Sequence, residues 1–371
     1  MEDYFIKIHR WLYPASWLYG IGVYLRNKLF DWGWLQSKSF DIPIICIGNL
    51  TVGGTGKTPH TEYLIKLLQN MGMNVATLSR GYKRKSKGYL LAEPTNNAQE
   101  IGDEPYQMKS KFPHIRVAVD KDRCHGINKL LQLKTPPVDA ILLDDAFQHR
   151  HVKAGMNLLL TDFHRLICDD ALLPAGRLRE PASGKNRAQI IVVTKCPDDM
   201  KPIDFNIIGK RLQLYPYQQL FFSRFKYGQL VPLFPECQQC AVSPSISLDS
   251  RKHILLVTGI ASPTPLLQEI KRKTPHVRLL AFGDHHEFSP KDLLQIKEEF
   301  KRLESCNKLI ITTEKDAARL KLHPSLDEQL KASIYTLPIE IEFLQDQQDI
   351  FNQSIIDYVR TNSRNSCLPE K

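Results

Sequence analysis

Short apolar runs alternate with amphipathic stretches along most of the chain. Residues 42–48 form a continuous apolar run that ends in glycine, which is typical of a buried parallel strand. Leucines recur at helical spacing in residues 57–71 and predict a helix soon after it. Further strands are predicted at 74–78, 116–119, 138–143, 156–160 and 189–193, with a helix at 121–133. This alternation predicts a doubly wound, mostly parallel α/β sheet.

A second, smaller region of strand–helix alternation follows a less regular stretch. Residues 215–250 are rich in Gln, Pro, Ser and aromatic residues, and we interpret them as linker strands and loop. Alternation resumes with strands predicted at 253–257, 277–282 and 308–312 and helices at 265–273, 290–303 and 341–358. We therefore expect an amino-terminal helical segment (1–35), a main α/β domain (36–214), linker strands (215–250), a smaller α/β domain (251–340) and a carboxy-terminal helix and tail (341–371).

All four tryptophans lie near the amino terminus, at Trp11, Trp17, Trp32 and Trp34. The uncharged run at 11–25 is shorter than the about 20 apolar residues that a membrane-spanning helix needs. Two interpretations remain open for this segment. It is a hydrophobic helical hairpin packed on the main domain, or an interfacial segment whose basic residues face anionic lipid. Those basic residues are Arg10, Arg26 and Lys28.

Composition narrows the class of protein. Of the 371 residues, 42% are apolar and 24% charged, which excludes a disordered chain, a collagen-like fibre and a coiled-coil rod. The net charge of +10 favours an anionic partner, whether nucleic acid, phosphorylated metabolite or acidic membrane. The eight cysteines are scattered and follow no secretory signal pattern, so we expect reduced thiols in a cytoplasmic protein.

The strongest local motif is a glycine-rich segment between the first strand and the first helix of the main domain. In this context backbone N–H groups cradle phosphates, aided by the positive end of the helix. We expect Lys57 to reach the β- and γ-phosphates of a nucleotide and Thr58 to bind Mg²⁺. The phosphate-binding residues are therefore predicted to be Thr51, Val52, Gly53, Gly54, Thr55, Gly56, Lys57 and Thr58. The usual pattern begins with glycine, and here Thr51 takes that position.

Carboxylates follow another predicted strand. Asp144 and Asp145 come directly after residues 138–143, an arrangement that holds Mg²⁺ directly or through water in P-loop enzymes. Adjacent side chains of a strand point to opposite faces, so we expect only one of the two to contact the metal shell. Glu180 lies in a loop with two arginines and is a candidate to complete that shell.

Asp103 is a candidate general base. It opens a predicted helix, so it either caps that helix or accepts the proton of an acceptor hydroxyl. His285 follows a strand of the smaller domain and is either a surface histidine or, if the domains close over a cleft, the partner that orients Asp103. Five basic residues between 80 and 87 form either a clamp for an anionic substrate or a solvated turn.

Taken together, these motifs resemble the tetraacyldisaccharide 4'-kinase family of lipid A biosynthesis, from about residue 10 to about residue 340. The matching segments are G-N-L-T-V-G-G-T-G-K-T-P at 48–59, R-G-Y at 80–82, G-D-E-P at 102–105, D-D-A-F-Q-H at 144–149, P-A-G-R-L-R-E-P at 174–181, D-H at 284–285 and T-E-K-D-A at 313–317. The series in this order is more specific than any single motif, and Thr51 is also typical of this family.

The resemblance implies a kinase that transfers the γ-phosphoryl group of ATP, with Mg²⁺, to the 4'-hydroxyl of tetraacyldisaccharide 1-phosphate, giving lipid IVA. It implies a P-loop NTPase-like kinase domain with a smaller α/β domain. It also implies a peripheral or monotopic protein at the cytoplasmic face of the bacterial inner membrane, associated through its amino-terminal helix. The expected partners are the anionic acylated disaccharide and the lipid surface. Neither nucleic acid nor an obligate protein partner is expected.

By motif position, the resemblance also implies roles for individual residues. Catalysis would involve Lys57, Asp103 and His285. The metal shell would involve Thr58, Asp144, Asp145 and Glu180, and the substrate would contact Arg80, Tyr82, Gln148 and Arg179. Two alternatives remain: another P-loop small-molecule kinase, and a membrane-associated P-loop ATPase switch that binds a protein partner. A nucleic-acid motor is disfavoured because no arginine-rich helix or base-stacking motif stands out.

Overall fold

The computed structural model describes residues 8–237, 248–260, 262–284, 286–305, 307–321, 323 and 326–362. The chain forms two compact units. The first comprises the chain up to Pro94, Met108–Lys226 and the chain from Ile341 onward, and the second comprises Thr95–Gln107 and Tyr227–Glu340. The polypeptide therefore passes between the units four times.

The first unit is built on a nine-stranded sheet. Its strands, in chain order, are β1 (Ile44–Asn49), β2 (Val75–Ser79), β3 (Leu90–Leu91), β4 (Arg116–Val119), β5 (Ala140–Asp144), β6 (Met156–Asp162), β7 (Ile190–Thr194), β8 (Gln219–Tyr227) and β14 (Ile339–Phe343). Their order across the sheet is β14-β8-β7-β6-β1-β5-β2-β4-β3. The six pairings from β8 to β4 are parallel, and β3 pairs antiparallel with β4.

Helices cover this sheet, so its central strands are buried along their whole length and read as continuous apolar runs. The helices of the first unit are α1 (Tyr13–Asp31), α2 (Lys57–Asn70), α5 (Arg123–Leu131), α6 (Pro202–Leu212) and α11 (Gln348–Asn362). Helix α3 (Ala98–Ile101) and the start of α4 (Asp103–Lys111) belong to the second unit. Short 3-10 helices lie at Arg10–Leu12 and Ala182–Arg187.

The strand order reverses at β1. After β1 the chain passes over β5 to reach β2, whereas β6, β7 and β8 extend the sheet in the opposite direction. Ligands of open α/β sheets bind at such a switch point, beyond the carboxyl ends of the strands. The glycine-rich segment leaves the sheet at this position, directly after Asn49, the last residue of β1.

The second unit is organised around a five-stranded sheet with the order β11-β10-β12-β13-β9. Its strands are β9 (Val231–Pro232), β10 (His253–Thr258), β11 (Val277–Ala281), β12 (Lys308–Thr312) and β13 (Ile334–Thr336), and its further helices are α7 (Thr264–Lys273), α8 (Pro290–Lys301), α9 (Glu314–Leu320) and α10 (Glu328–Ser333). Successive residues of β10 enter separate apolar clusters: Leu255 packs with Phe300, and Leu256 packs with Ile270. The sheet therefore has an apolar core on each face.

The structure confirms the predicted α/β fold with its large, mostly parallel sheet and a second, smaller α/β unit. The strands predicted at 116–119 and 308–312 have the observed bounds. The other predicted strands differ from the observed ones by one or two residues at either end. These elements were predictable because a strand buried on both faces requires an unbroken apolar run.

The structure gives bounds to one strand that was not predicted individually and corrects one predicted helix. β8 lies within the stretch 215–250, interpreted as linker strands and loop, and it pairs in parallel with β7. The helix predicted at 341–358 is wrong at its start, because Ile341 and Phe343 belong to β14 and are buried alternately with exposed or half-buried glutamates. Helix α11 begins only at Gln348, after a bend in which two residues have positive φ.

The amino-terminal segment forms one helix, α1, rather than the helical hairpin considered above, within the part of the chain that is described. A narrow stripe of small residues packs this helix on the first unit. Ser16 donates a hydrogen bond to Leu172 O (3.0 Å), and a Cβ on Gly20 would lie 2.8 Å from the Leu172 side chain. Phe30 is buried, whereas Trp17 of α1 is 76% exposed and Trp11, in the 3-10 helix before α1, is 77% exposed. None of the described helices combines the length and the hydropathy needed to cross a bilayer.

Candidate active site

The glycine-rich segment at residues 51–58, the predicted phosphate loop, connects β1 to α2 at the switch point of the sheet. It is called the phosphate loop below. Gly56 is the residue before α2 and has φ +85°, a left-handed conformation that glycine adopts without strain. The buried Asn49 side chain donates hydrogen bonds to Thr55 Oγ1 (2.9 Å) and Thr51 Oγ1 (3.4 Å). Thr51 thus has a structural role of its own in the position where the general motif has glycine.

Glycine at position 48 allows the loop after β5 to lie directly against β1. A Cβ on Gly48 would be 2.6 Å from the Cβ of Phe147, so no larger residue fits without a shift of that loop. Gln148, the next residue, donates a hydrogen bond from Nε2 to Asn49 O (2.6 Å). The end of β1, which leads into the phosphate loop, is therefore in contact with the segment that follows the aspartate pair.

The two adjacent aspartates face different groups, as expected. Asp144 ends β5, is 1% exposed, and accepts a hydrogen bond from Thr61 of α2 (3.4 Å). Asp145 has φ +49°, which turns its carboxylate toward Arg179 Nη1 (3.2 Å) and Lys57 Nζ (3.6 Å). Burial acts against the charged form of Asp145, but Lys57 and Arg179 outweigh it and hold the pKa of this carboxyl below its usual value.

Four sequence-predicted residues thus form one cluster in the first unit. Arg179 binds Asp145 and lies 3.4 Å from Gln148 Oε1, and Asp145 lies beside Lys57. A guanidinium and an ammonium arranged around one carboxylate at a helix N-terminus form a setting that attracts phosphate groups. Arg80 and Tyr82, also predicted substrate contacts, follow β2 on an exposed turn, where Tyr82 is 62% exposed.

Glu180 is held by arginines. Its side chain is 1% exposed and pairs with Arg187 Nη2 (2.5 Å) and Arg26 Nη1 (3.8 Å). The guanidinium of Arg187 also covers the Phe147 ring, 4.6 Å from its centroid. Arg26, which would face lipid in one of the two interpretations of the amino-terminal segment, binds the backbone oxygen of Gln148 besides Glu180. Glu180 therefore orients arginines around the cluster.

The donor set suits Mg²⁺ rather than a softer metal. In the described part of the chain, no three His, Cys, Asp or Glu side chains are grouped to hold a metal ion by themselves. Mg²⁺ commonly binds through one or two carboxylates together with the phosphates of a substrate. Asp144, Asp145 and the hydroxyl of Thr58, the second residue of α2, are oxygen donors of this kind. The residues present therefore fit a Mg²⁺–nucleotide site.

Asp103 belongs to the second unit, and α4 begins at this residue. Its carboxylate accepts a bidentate pair of hydrogen bonds from Arg319, with 3.1 Å between Oδ1 and Nε, and Arg319 also donates to His286 O (3.1 Å). His285, the predicted partner of Asp103, lies outside the described residues.

Sequence reasoning missed four arginines. Arg26, Arg187 and Arg319 hold carboxylates as described above. Arg123 is 4% exposed, and its positive charge contributes to lowering the pKa of Asp145. None of the four belongs to a recognisable motif. The only sequence signal was the basic excess of the chain, which does not identify individual positions.

A further buried group, His60 in the second turn of α2, also contacts the phosphate loop. Its Nδ1 lies 2.8 Å from Gly56 O and its Nε2 lies 3.0 Å from Ser223 Oγ on β8. Burial lowers the pKa of His60 from 6.5 to about 4, so the ring is neutral near pH 7.

Comparison with known proteins identifies the family. The sequence model of the tetraacyldisaccharide-1-P 4'-kinase family matches residues 8–360. The chain belongs to this family. The tetraacyldisaccharide 4'-kinase of Bacteroides fragilis is 66% identical over 371 residues, covering 100% of this chain and 98% of that protein. The one from Bacteroides thetaiotaomicron is 63% identical over 375 residues, with the same coverage.

More distant members agree. The tetraacyldisaccharide 4'-kinase of Porphyromonas gingivalis is 46% identical over 359 residues, covering 95% of this chain and 98% of that protein. A crystal structure of the family member from Aquifex aeolicus, described as an "apo" form in complex with ATP, superposes with a TM-score of 0.69. It is 26% identical and covers 95% of this chain and 99% of that chain. The resemblance inferred from the motifs is confirmed, and the chain is a kinase of the lipid A pathway.

The buried His60 predicts acid-sensitive stability. Its pKa is lowered in the folded protein, so its contribution is complete above pH 6.5 and is lost as the pH falls toward about 4. At pH 5 we expect this one group to cost about 2 kcal/mol of unfolding free energy relative to pH 7.5. Urea unfolding of wild type and His60→Gln at both pH values measures it, and the variant should lose less stability on acidification. His114→Gln, at an exposed position, should retain the wild-type dependence. Equal pH dependence in all three proteins would contradict the prediction.

Proposed function

We propose that this chain transfers the γ-phosphoryl group of ATP to the 4'-hydroxyl of a tetraacyldisaccharide 1-phosphate, giving lipid IVA. Family membership across residues 8–360 supports the reaction class and substrate. The observation that carries the proposal to individual residues is the cluster of Lys57, Asp145 and Arg179 at the N-terminus of α2. It has the charge and the position that a bound triphosphate requires.

We propose that residues 51–58 bind the phosphates of ATP. The Aquifex aeolicus relative is described in complex with ATP, which supports the same nucleotide here. Lys57 would contact the β- and γ-phosphates, and Arg179 would add charge-assisted hydrogen bonds, with Gln148 positioning Arg179. Most of the catalytic effect would come from positioning and charge neutralisation, because phosphoryl transfer gives the protein little covalent chemistry to do.

We propose that Thr58 and one of Asp144 and Asp145 hold Mg²⁺ together with the phosphates, while the other aspartate binds neighbouring groups of the site. The bound ion supplies charge neutralisation for the transferred phosphoryl group. Glu180 stays a proposed member of the metal shell or its surroundings, and its pairing with Arg187 and Arg26 fixes its position. Through Arg187 and Arg26 it would keep the floor of the site rigid.

Asp103 is the proposed general base. In the reaction, the 4'-oxygen forms a bond to the γ-phosphorus while the bond from that phosphorus to the β–γ bridging oxygen breaks. The hydroxyl proton passes to the Asp103 carboxylate and ADP leaves. The bidentate contact with Arg319 fixes the orientation of the Asp103 carboxylate. His285 stays the proposed partner of Asp103 from the sequence.

We propose that residues 1–35 associate the protein with the cytoplasmic face of the inner membrane. Support comes from the wide aromatic face of α1, from Trp32 (64% exposed) and Trp34 (78% exposed) beyond its end, and from Lys28. An acylated substrate reaches its enzyme most directly at a lipid surface.

We also retain the proposed division into a kinase domain (36–214), linker strands (215–250), a smaller domain (251–340) and a carboxy-terminal helix and tail (341–371), with β8 extending the kinase sheet.

Lys57→Met should reduce phosphate transfer by at least about 100-fold, because it removes the cation that contacts the transferred group. The assay incubates labelled ATP with the acylated disaccharide and separates the lipids by chromatography. Lys66→Met, an exposed change on the same helix, is the control and should keep wild-type transfer. Wild-type rates in Lys57→Met would count against the phosphate-loop assignment.

Asp103→Asn should lower kcat for transfer by about 100-fold to 10,000-fold while ATP binding is retained, because only the proton acceptor is lost. Glu104→Gln, at the next position of α4, is the matched control. An ATPase switch that binds a protein partner needs no acceptor base. If the protein hydrolyses ATP with unchanged rate in Asp103→Asn and never labels the lipid, that alternative replaces the kinase proposal.

The double variant Trp11→Ser, Trp17→Ser should weaken binding to anionic phosphatidylglycerol vesicles by at least about tenfold, since two exposed indoles are removed. Co-sedimentation measures the bound fraction. Tyr215→Ser with Tyr217→Ser removes two other exposed aromatic residues of the chain, outside α1, and should leave binding unchanged. Equal binding by wild type and the Trp double variant would reject the role of α1.

A further inference from the structure

Three consecutive carbonyl groups of the phosphate loop are each bound by a side chain from outside the motif. These are the backbone oxygens of Gly54, Thr55 and Gly56. Their donors are Lys195 Nζ, Thr194 Oγ1 (2.9 Å) and His60 Nδ1 (2.8 Å), respectively. The donors come from the end of β7 and from α2, so separate elements of the first unit converge on one stretch of backbone.

The orientation of these carbonyls fixes the orientation of the N–H groups that follow them. A peptide unit is planar and trans, so its C=O and the next N–H point in opposite directions. Holding the three oxygens toward the protein therefore turns the N–H groups of Thr55, Gly56 and Lys57 the other way. Phosphate loops bind their ligand through such N–H groups.

Each donor is itself fixed by a second contact. Lys195 has φ +57° and pairs with Asp162 Oδ2 at 2.6 Å, so its ammonium is held over Gly54 O. Thr194 is fully buried as the last residue of β7, and its hydroxyl also lies 3.3 Å from Thr161 O. Because a carbonyl only accepts, the proton of His60 resides on Nδ1, and Nε2 accepts from the buried hydroxyl of Ser223.

We propose that Thr194, Lys195 and His60 are positioning residues that orient the phosphate loop toward the diphosphate and triphosphate groups of a nucleotide. They act through the loop backbone and need no contact with the ligand. The inference rests on the proposed ATP-dependent function. It adds a specific expectation: these residues control affinity for the phosphate chain and leave affinity for the nucleoside and for the lipid acceptor unchanged.

The test compares full-length wild type with Thr194→Val, Lys195→Met and Ser223→Ala. Each protein is titrated with ATP, ADP and adenosine, and KM is measured for ATP and for the acylated disaccharide. We expect Kd for ATP and ADP, and KM for ATP, to rise about fivefold or more in each variant. Adenosine affinity and KM for the acceptor should stay at wild-type values. Ser223→Ala removes the hydrogen bond that fixes the His60 ring but keeps the buried ring itself. It therefore tests the role of His60 without creating a cavity in place of the ring.

Thr161→Val is the matched control. Thr161 is 1% exposed on the neighbouring β6, and its hydroxyl accepts a hydrogen bond from Ile167 N (3.1 Å) rather than binding the phosphate loop. We expect it to lower the thermal midpoint about as much as Thr194→Val and to leave the affinity for ATP unchanged. Equal loss of ATP affinity in Thr161→Val would overturn the inference, since it would indicate general destabilisation.

Different experimental results would overturn the inference and the proposed function. If wild type binds ATP and labels the lipid, but Thr194→Val and Lys195→Met bind ATP with wild-type affinity, the inference is overturned and the kinase proposal stands. If wild type neither binds ATP nor labels the lipid, the proposed function fails and the inference fails with it.

Discussion

Charge pairing at the carboxyl edge of the large sheet is the constraint on which the site depends. Asp145 lies between Lys57 and Arg179, and Glu180 lies between Arg187 and Arg26. A buried carboxylate without such partners would shift to its neutral form. In this cluster the cations outnumber the carboxylates, so the cluster keeps a net positive charge. That surplus is what a triphosphate, or an anionic lipid, would neutralise.

The central strands were predictable because of where they lie. β1, β5 and β7 are buried on both faces, which requires apolar residues at nearly every position. β14 was missed because it lies at the edge of the sheet and alternates isoleucine and phenylalanine with glutamate. In the sequence such a short alternation merges with the helical pattern that follows. β8 lies in the stretch interpreted as linker strands and loop, and its bounds were not predicted because its ends carry polar residues.

Sequence analysis could predict only those site residues that directly follow a recognisable strand or loop in the chain. Lys57, Asp144 and Asp145 directly follow apolar strands or a glycine-rich loop, so local pattern identifies them. Their partners could not be found this way, because Arg26 and Arg319 reach carboxylates far along the chain. Arg26 shows the limit most clearly: its position among exposed aromatics suggested lipid contact, and tertiary packing directs it to Glu180 instead. Ion pairs between residues that are far apart in the chain depend on the fold, and they produce no periodic pattern in the sequence.

The order of the chain has a consequence for biosynthesis. Asp103 leaves the ribosome 216 residues before Arg319, its partner. The first unit is also incomplete until the end, because the hydroxyl of Tyr358 on α11 bridges the N–H and C=O of Ile44 at the start of β1. At about 5–20 residues per second, translation leaves β1 without that contact for tens of seconds. The first unit therefore acquires the Tyr358 contact only after α11 has been made, and the second unit acquires the Asp103–Arg319 pair only after α9 has been made.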